Sequence, residues 1–235
     1  MMELGDAFTA ALALIVNFEK SLAEIVMLSL QVSLIAVALA CLVGLPIGAA
    51  LAIFRFPGRL VVTVILNAMM GLPPVVVGLI VYLILSRSGP LGTLGLLYTP
   101  TAMIIAQFFL IMPIIVSLTR QSLEEMIVEY DDLLKSLKAN TKERMLTILW
   151  DSRYSLLTYV LAGLGRSLSE VGAIIIVGGN IAYATRVMTT TIALETSKGN
   201  LEIAIALGFV LIFISFLINL LAYLLNNFAK RFSYD

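Results

Sequence analysis

The stretch RQSLEEMIVEYDDLLKSLKANTKERMLTILWDSR, residues 120–153, lies between two long apolar runs and holds 13 of the chain's 30 charged side chains. Its apolar residues keep helical time. Leu123, Ile127, Tyr130, Leu134 and Leu137 step by four, three, four and three, which puts them on one helix face. Asn140, followed three residues later by Glu143, reads as an N-cap with its reciprocal acid, so a second helix is predicted to start there. Two short helices meeting at a turn outside a membrane make a docking element, a place where another protein pushes. The plain alternative is a solvated loop that obeys the positive-inside rule.

Composition sets the context. Hydrophobic residues make up 60% of the 235 positions and charged residues 13%, and the mean hydropathy is +1.05. A soluble domain has about a quarter of its residues charged. The chain therefore reads as an all-α polytopic membrane protein in a single domain, 1–235. Net charge is zero, which suggests no nucleic-acid partner. There is no histidine, and Cys41 is the lone cysteine, inside an apolar run. Disulfides, zinc sites and histidine-based triads are thus excluded as readings, and no metal or cofactor is expected on this chain. Met1 to Ala10 carries Glu3 and Asp6 and no basic residue, unlike the start of a cleaved signal peptide.

Five spans are predicted around residues 120–153. Residues 7–18 are apolar but too few for a hydrocarbon core that needs about twenty, so 1–20 is expected to form an interfacial or packing helix. The spans run over 25–54, 60–86, 98–119, 154–177 and 203–229. The first should kink at Gly44-Leu45-Pro46-Ile47-Gly48 and the second at Gly71-Leu72-Pro73-Pro74. The fourth contains Arg166 and Glu170 at i and i+4, where they can pair as a brace. Residues 178–202 form a polar outer loop. Placing 120–153 in the cytoplasm puts ten Lys or Arg inside and four outside, with Arg166 within the membrane. The N-terminus is then outside and the C-terminus cytoplasmic.

What is missing matters too. No G-x-x-x-x-G-K-[ST] motif is present, and Gly163-Leu164-Gly165 lacks a third glycine, so ATP phosphates have no cradle here. Five spans are few for a self-sufficient transporter, and the two halves show no self-similarity. Two copies around a two-fold axis would supply the pathway, and the energy for uphill transport would come from a partner.

These residues resemble the permease subunit of type I ABC importers. Such subunits carry a cytoplasmic motif written E-A-A, three residues, G. Asp132, Leu133, Leu134, Lys135, Ser136, Leu137, Lys138 and Ala139 fall on it, with Asp132 in place of the acid and Lys138 in place of the glycine. Gly165-Arg166-Ser167-Leu168-Ser169-Glu170-Val171-Gly172-Ala173 is similar to a stretch of oxyanion permeases. The segments Val177 to Ile181, Arg186 to Ile192 and Leu194 to Gly199 look like the tungstate branch of those permeases, where molybdate permeases diverge after Gly179-Asn180. The resemblance implies a homodimer, two cytoplasmic ATP-binding subunits that hold ATP and Mg, and an extracellular oxyanion-binding protein. Residues 132–139 would then couple to the ATPase. Arg166, Glu170, Thr189, Thr190 and Thr191 would line the pathway or gate, hydroxyls being suitable neutral donors to a tetrahedral anion. Arg186 and Lys198 would pair with acids on the binding protein. A molybdate or sulfate permease is the same-class alternative. A scaffold that recruits a cytoplasmic complex is the alternative from another class, and an intramembrane enzyme using Arg166 and Glu170 lacks a nucleophile nearby.

Overall fold

A computed structural model describes residues 20–232, together with Thr9 and Ala13. The helix expected within 1–20 therefore lies outside the described residues. Every regular element among the described residues is helical: α1 Lys20–Ile53, α2 Arg59–Met70, α3 Pro74–Leu85, a 3₁₀ turn Gly92–Leu94, α4 Pro100–Ser136, α5 Thr141–Asp151, α6 Arg153–Leu168, α7 Gly172–Gly178, α8 Met188–Lys198 and α9 Leu201–Phe232. Three of these are long and apolar enough to cross a membrane alone: α1, α4 and α9. Two bent pairs, α2 with α3 and α6 with α7, raise the number to five when each counts as one span.

The centre of the molecule is α1 against α4. Gly44 and Gly48 sit on the shared face, and a methyl on Gly48 would lie 2.7 Å from the Thr119 Cβ and 2.8 Å from the Val116 carbonyl. Small residues let the two backbones approach where hydrocarbon offers no hydrophobic drive for association. At Gly44–Gly48, where a kink was predicted, the helix is continuous. The helix runs on through Pro46, which is exposed, while the glycines face inward. The second predicted break is larger than a kink, because α2 and α3 meet at 103°. Pro73 is extended and Pro74 occupies the first turn of α3, the position at which a missing N–H costs nothing. None of α2 is buried, whereas Val77, Gly78, Val81 and Leu85 of α3 are. Gly78 in turn touches α7: a Cβ there would meet the Ala173 Cα at 2.7 Å.

The fourth span differs from its prediction. It is cut into α6 and α7, bent by 59° across Ser169–Val171. A break inside a membrane is tolerated only when neighbours take the freed backbone groups, and here they do. Gln107 of α4 donates to the Ser167 carbonyl (3.0 Å), and the Thr189 hydroxyl of α8 donates to the Glu170 carbonyl (2.8 Å). The predicted outer loop 178–202 likewise contains a helix, α8.

Apolar clusters tie the elements in sequence. One joins Val32, Val81, Met103 and Ile174 of α1, α3, α4 and α7, and another joins Leu22, Leu168, Met188 and Leu207 of α1, α6, α8 and α9. At the far end Ala49 and Ala52 of α1 close on Leu123, Leu134 and Ile148 of α4 and α5.

Candidate functional site

The charged segment begins as the last turns of α4, which passes from apolar span to polar segment without interruption. That continuity replaces the first of the two short helices expected there. Four of the five residues on the predicted face do their part: Leu123 and Leu134 are buried, and Ile127 and Tyr130 pack beside them. Leu137 does not. It lies just past the helix end and is 67% exposed. Burial, reinforced by the Asp151 carboxylate, pushes the Tyr130 phenol above its usual pKa.

The turn is built around Lys138, whose φ is +52°. The Ala139 N–H reaches back to the Leu134 carbonyl at 3.1 Å, the long closing bond of a Schellman cap with Lys138 at the left-handed position. This explains why the resembled motif wants glycine there: the backbone conformation is the one glycine enters freely. Asn140 then caps α5 as predicted. Its side chain accepts from the Glu143 N–H (3.0 Å), and Glu143 accepts from the Asn140 N–H (2.8 Å). Asp132, Leu133, Ser136, Leu137 and Lys138 are all exposed. Alongside them Leu146 (69% exposed) and Trp150 (67%) stand on one face of α5, four residues apart. The Arg153 guanidinium stacks 4.4 Å above the Trp150 ring centre, which holds the indole in place. The resemblance pointed to residues 132–139. It missed Leu146 and Trp150, although an i, i+4 apolar pair within a charged helix is a readable signal.

The second candidate group lies around the α6–α7 break. Arg166 and Glu170 are not brought together: α6 ends between them, Arg166 is exposed and Glu170 is buried. No ion pair joins them among the described residues. Glu170 instead receives the Ala173 N–H of α7 at 3.4 Å. The three threonines are buried, and their hydroxyls are spent within the protein. Thr189 bonds the Glu170 carbonyl, Thr190 bonds Asn180 and Val187 at 3.0 and 3.1 Å, and Thr191 bonds Val187 at 2.7 Å. Ser29 of α1 accepts the Met188 N–H at 2.8 Å. Together with Ser33, Gln107, Ser167 and Thr189, and with Val32, Leu168, Ile174 and Val187, it lines a small pocket of mixed character; the Gln107 carbonyl oxygen and the Ser167 hydroxyl have no protein partner. The prediction missed Ser29, Ser33 and Gln107. Their signal was a lone polar residue in an apolar run, where burial demands a partner.

Arg186 and Lys198 part company. Arg186 is half-buried and lines a cleft with Glu24 and Ser21 of α1. Lys198 donates to Glu195 at 2.9 Å in its own helix, and Asn200 donates to the other oxygen of that carboxylate at 2.7 Å. The Asn200 amide and then the Lys198 ammonium hold the Glu195 carboxyl below the usual carboxylate range. Gly199, at φ +82°, turns the chain into α9.

Residues 44–231 match the family described as binding-protein-dependent transport system inner membrane component. Among curated proteins, the chain is 43% identical over 196 residues to a probable anion ABC transporter permease protein of Haloferax volcanii, covering 81% of this chain and 84% of that one. It is 41% identical over 227 residues to the tungstate uptake system permease protein TupB of Peptoclostridium acidaminophilum (97% and 100% of the two chains). The TupB of Campylobacter jejuni is 39% identical over 222 residues (94% and 93%). With a family match over most of its length, a helical multi-pass architecture and a helical hairpin carried on its longest span, this chain belongs to the binding-protein-dependent transport inner-membrane permeases of ABC importers.

Proposed function

We propose that the chain is the membrane-spanning subunit of an ATP-driven tungstate importer. The observation that carries this reading is the near end-to-end likeness to two permeases named for tungstate uptake. Two copies enclose the pathway on a two-fold axis. Two cytoplasmic subunits bind ATP and Mg and dock on the 120–153 hairpin, and an extracellular binding protein delivers the anion to the 178–202 face, where Arg186 stands. The N-terminus is outside and the C-terminus cytoplasmic. The hairpin supports the coupling role twice over. Its outer face shows Leu133, Leu137, Leu146 and Trp150 to solvent, while its inner face is joined through Leu134 and Ile148 to α1. Motion imposed on the hairpin is thereby carried into α1 and α4, turning an inward-open pathway outward.

In this reading Arg166, Glu170 and Thr189–Thr191 belong to the gate as its moving joint. Thr189 fastens the α6–α7 break while Thr190 and Thr191 bond Asn180 and Val187, and these occupied hydroxyls favour a structural part in the gate over one as ligands of the anion. Glu170→Gln is expected to slow transport, and an unaltered rate would remove Glu170 from the gate.

The test is ATP hydrolysis by liposomes holding this chain, its ATP-binding partner and the binding protein. Stimulation that needs loaded binding protein and is strongest with tungstate is the expected result. Equal stimulation by molybdate or sulfate would keep the importer and displace tungstate. A stable complex that responds to no oxyanion would favour a scaffold.

A further inference from the structure

We infer that Arg55, Arg59 and Arg120 form a binding site for the phosphate of an anionic membrane lipid, a feature independent of which cargo is carried. The three guanidinium groups line one open cleft of about 460 Å³ between the end of α1, the start of α2 and the middle of α4, and Glu124 is the acid that lines it with them. Glu124 is already shared. One of its oxygens meets Arg59 and the other Arg120. Arg59 also donates from Nε to the Leu51 carbonyl at 2.6 Å, which fixes the fork in place. Arg55 is exposed and has no ion-pair partner among the described residues. The ledger is three cations to one anion, with most guanidinium N–H donors unspent. A tetrahedral oxyanion bearing one or two charges balances it and suits the planar forks of arginine.

Position selects the source of that oxyanion. The cleft opens where the apolar run of α1 stops at Ile53 and α4 leaves Thr119 for the charged segment. From its edge the unburied face of α2 runs away as Leu60, Val61, Val64 and Ile65, each more than half exposed. A basic pocket continuous with an apolar track fits a phosphate that carries acyl chains, whereas free phosphate or tungstate has no use for the track.

The test is native mass spectrometry of the full chain released from nanodiscs containing phosphatidylcholine with phosphatidylglycerol. Wild type is expected to retain phosphatidylglycerol over phosphatidylcholine. Arg55→Gln should cut that enrichment about fivefold, the share of one arginine at an anionic surface, while its melting in pure phosphatidylcholine is unchanged. Arg55→Lys should also lose part of the enrichment, because charge remains and the fork is gone. Retention unaffected by Arg55→Gln overturns the site. A loss in Arg55→Gln that Arg55→Lys fully restores overturns it too, reducing it to a diffuse positive surface. Displacement of the lipid by equimolar free phosphate or tungstate assigns the arginines to soluble oxyanions and overturns the lipid reading.

Discussion

Lys138 holds a backbone conformation that costs a residue with a Cβ roughly 1–2 kcal/mol. Lys138→Gly is therefore expected to raise the melting temperature of the purified chain, and Lys138→Val to lower it, since a β-branched residue fits that conformation worst. Opposite signs are the signature; a fall in both variants would show that the lysine side chain itself holds the turn. Glu195 makes a second prediction. Its folded pKa is depressed, so its contribution is present above the ordinary carboxylate pKa of about 4.3 and is lost as pH falls through the lower folded value. Glu195→Gln should cost about 1–2 kcal/mol at pH 7, and the gap to wild type should close on acidification below about pH 4. A gap that stays constant with pH would mean the loss is one of packing. Such details were partly legible. The lysine was visible where a glycine is usual, but the positive φ that explains it appears only in the folded turn.

At the scale of the element, the hairpin separates buried from exposed apolar residues. Ile148 is 3% exposed and Trp150 67%. Ile148→Ala should destabilise the chain by about 2–4 kcal/mol through the cavity it leaves. Trp150→Ala should leave stability within about 0.5 kcal/mol yet abolish coupled ATP hydrolysis in the reconstituted complex. Full coupling in the Trp150 variant would move the partner's footprint elsewhere. Element boundaries show where reading the sequence succeeds. Asn140 and Glu143 announced α5 because a capping box is a local device. The α6–α7 break was missed because it rests on Gln107 and Thr189, 60 and 19 residues from the carbonyls they serve. Long-range rescue of a broken helix leaves no local trace, and an unbroken apolar run was the natural reading. At Gly44–Gly48 glycine and proline together suggested a bend; the helix runs on through them, and the same glycines pack closely against α4.

The whole molecule has two ends. Arg59 and the charged segment share one, through the Glu124 bonds to Arg59 and Arg120, and Arg55 lines the same cleft. Tyr98 and the end of α7 share the other, where the Tyr98 N–H bonds the Val177 carbonyl at 2.9 Å. A cysteine introduced as Tyr183→Cys, at a position 90% exposed, should react in intact cells with a membrane-impermeant maleimide when Cys41 is replaced by serine. Leu137→Cys should react only after the membrane is opened. The reverse pattern would invert the assigned topology. The three long apolar helices were legible from hydropathy, whereas their pairing depends on contacts between glycines and distant side chains.

One consequence of the unbroken α4 concerns leverage. At 1.5 Å per residue, about 44 Å of rod separates Gln107 from Ser136, and about 10 Å separates it from Pro100. If α4 tilts as one piece, Pro113 included, about buried Gln107, the arms stand in a ratio of about four to one. A push of about 4 Å at the hairpin then moves the outer tip by only about 1 Å, in the opposite direction and with about four times the force. Geared this way, the rod trades travel for force. Under the proposed function, an opening wide enough for an anion would then come from the shorter, bent pieces that the rod shoulders aside.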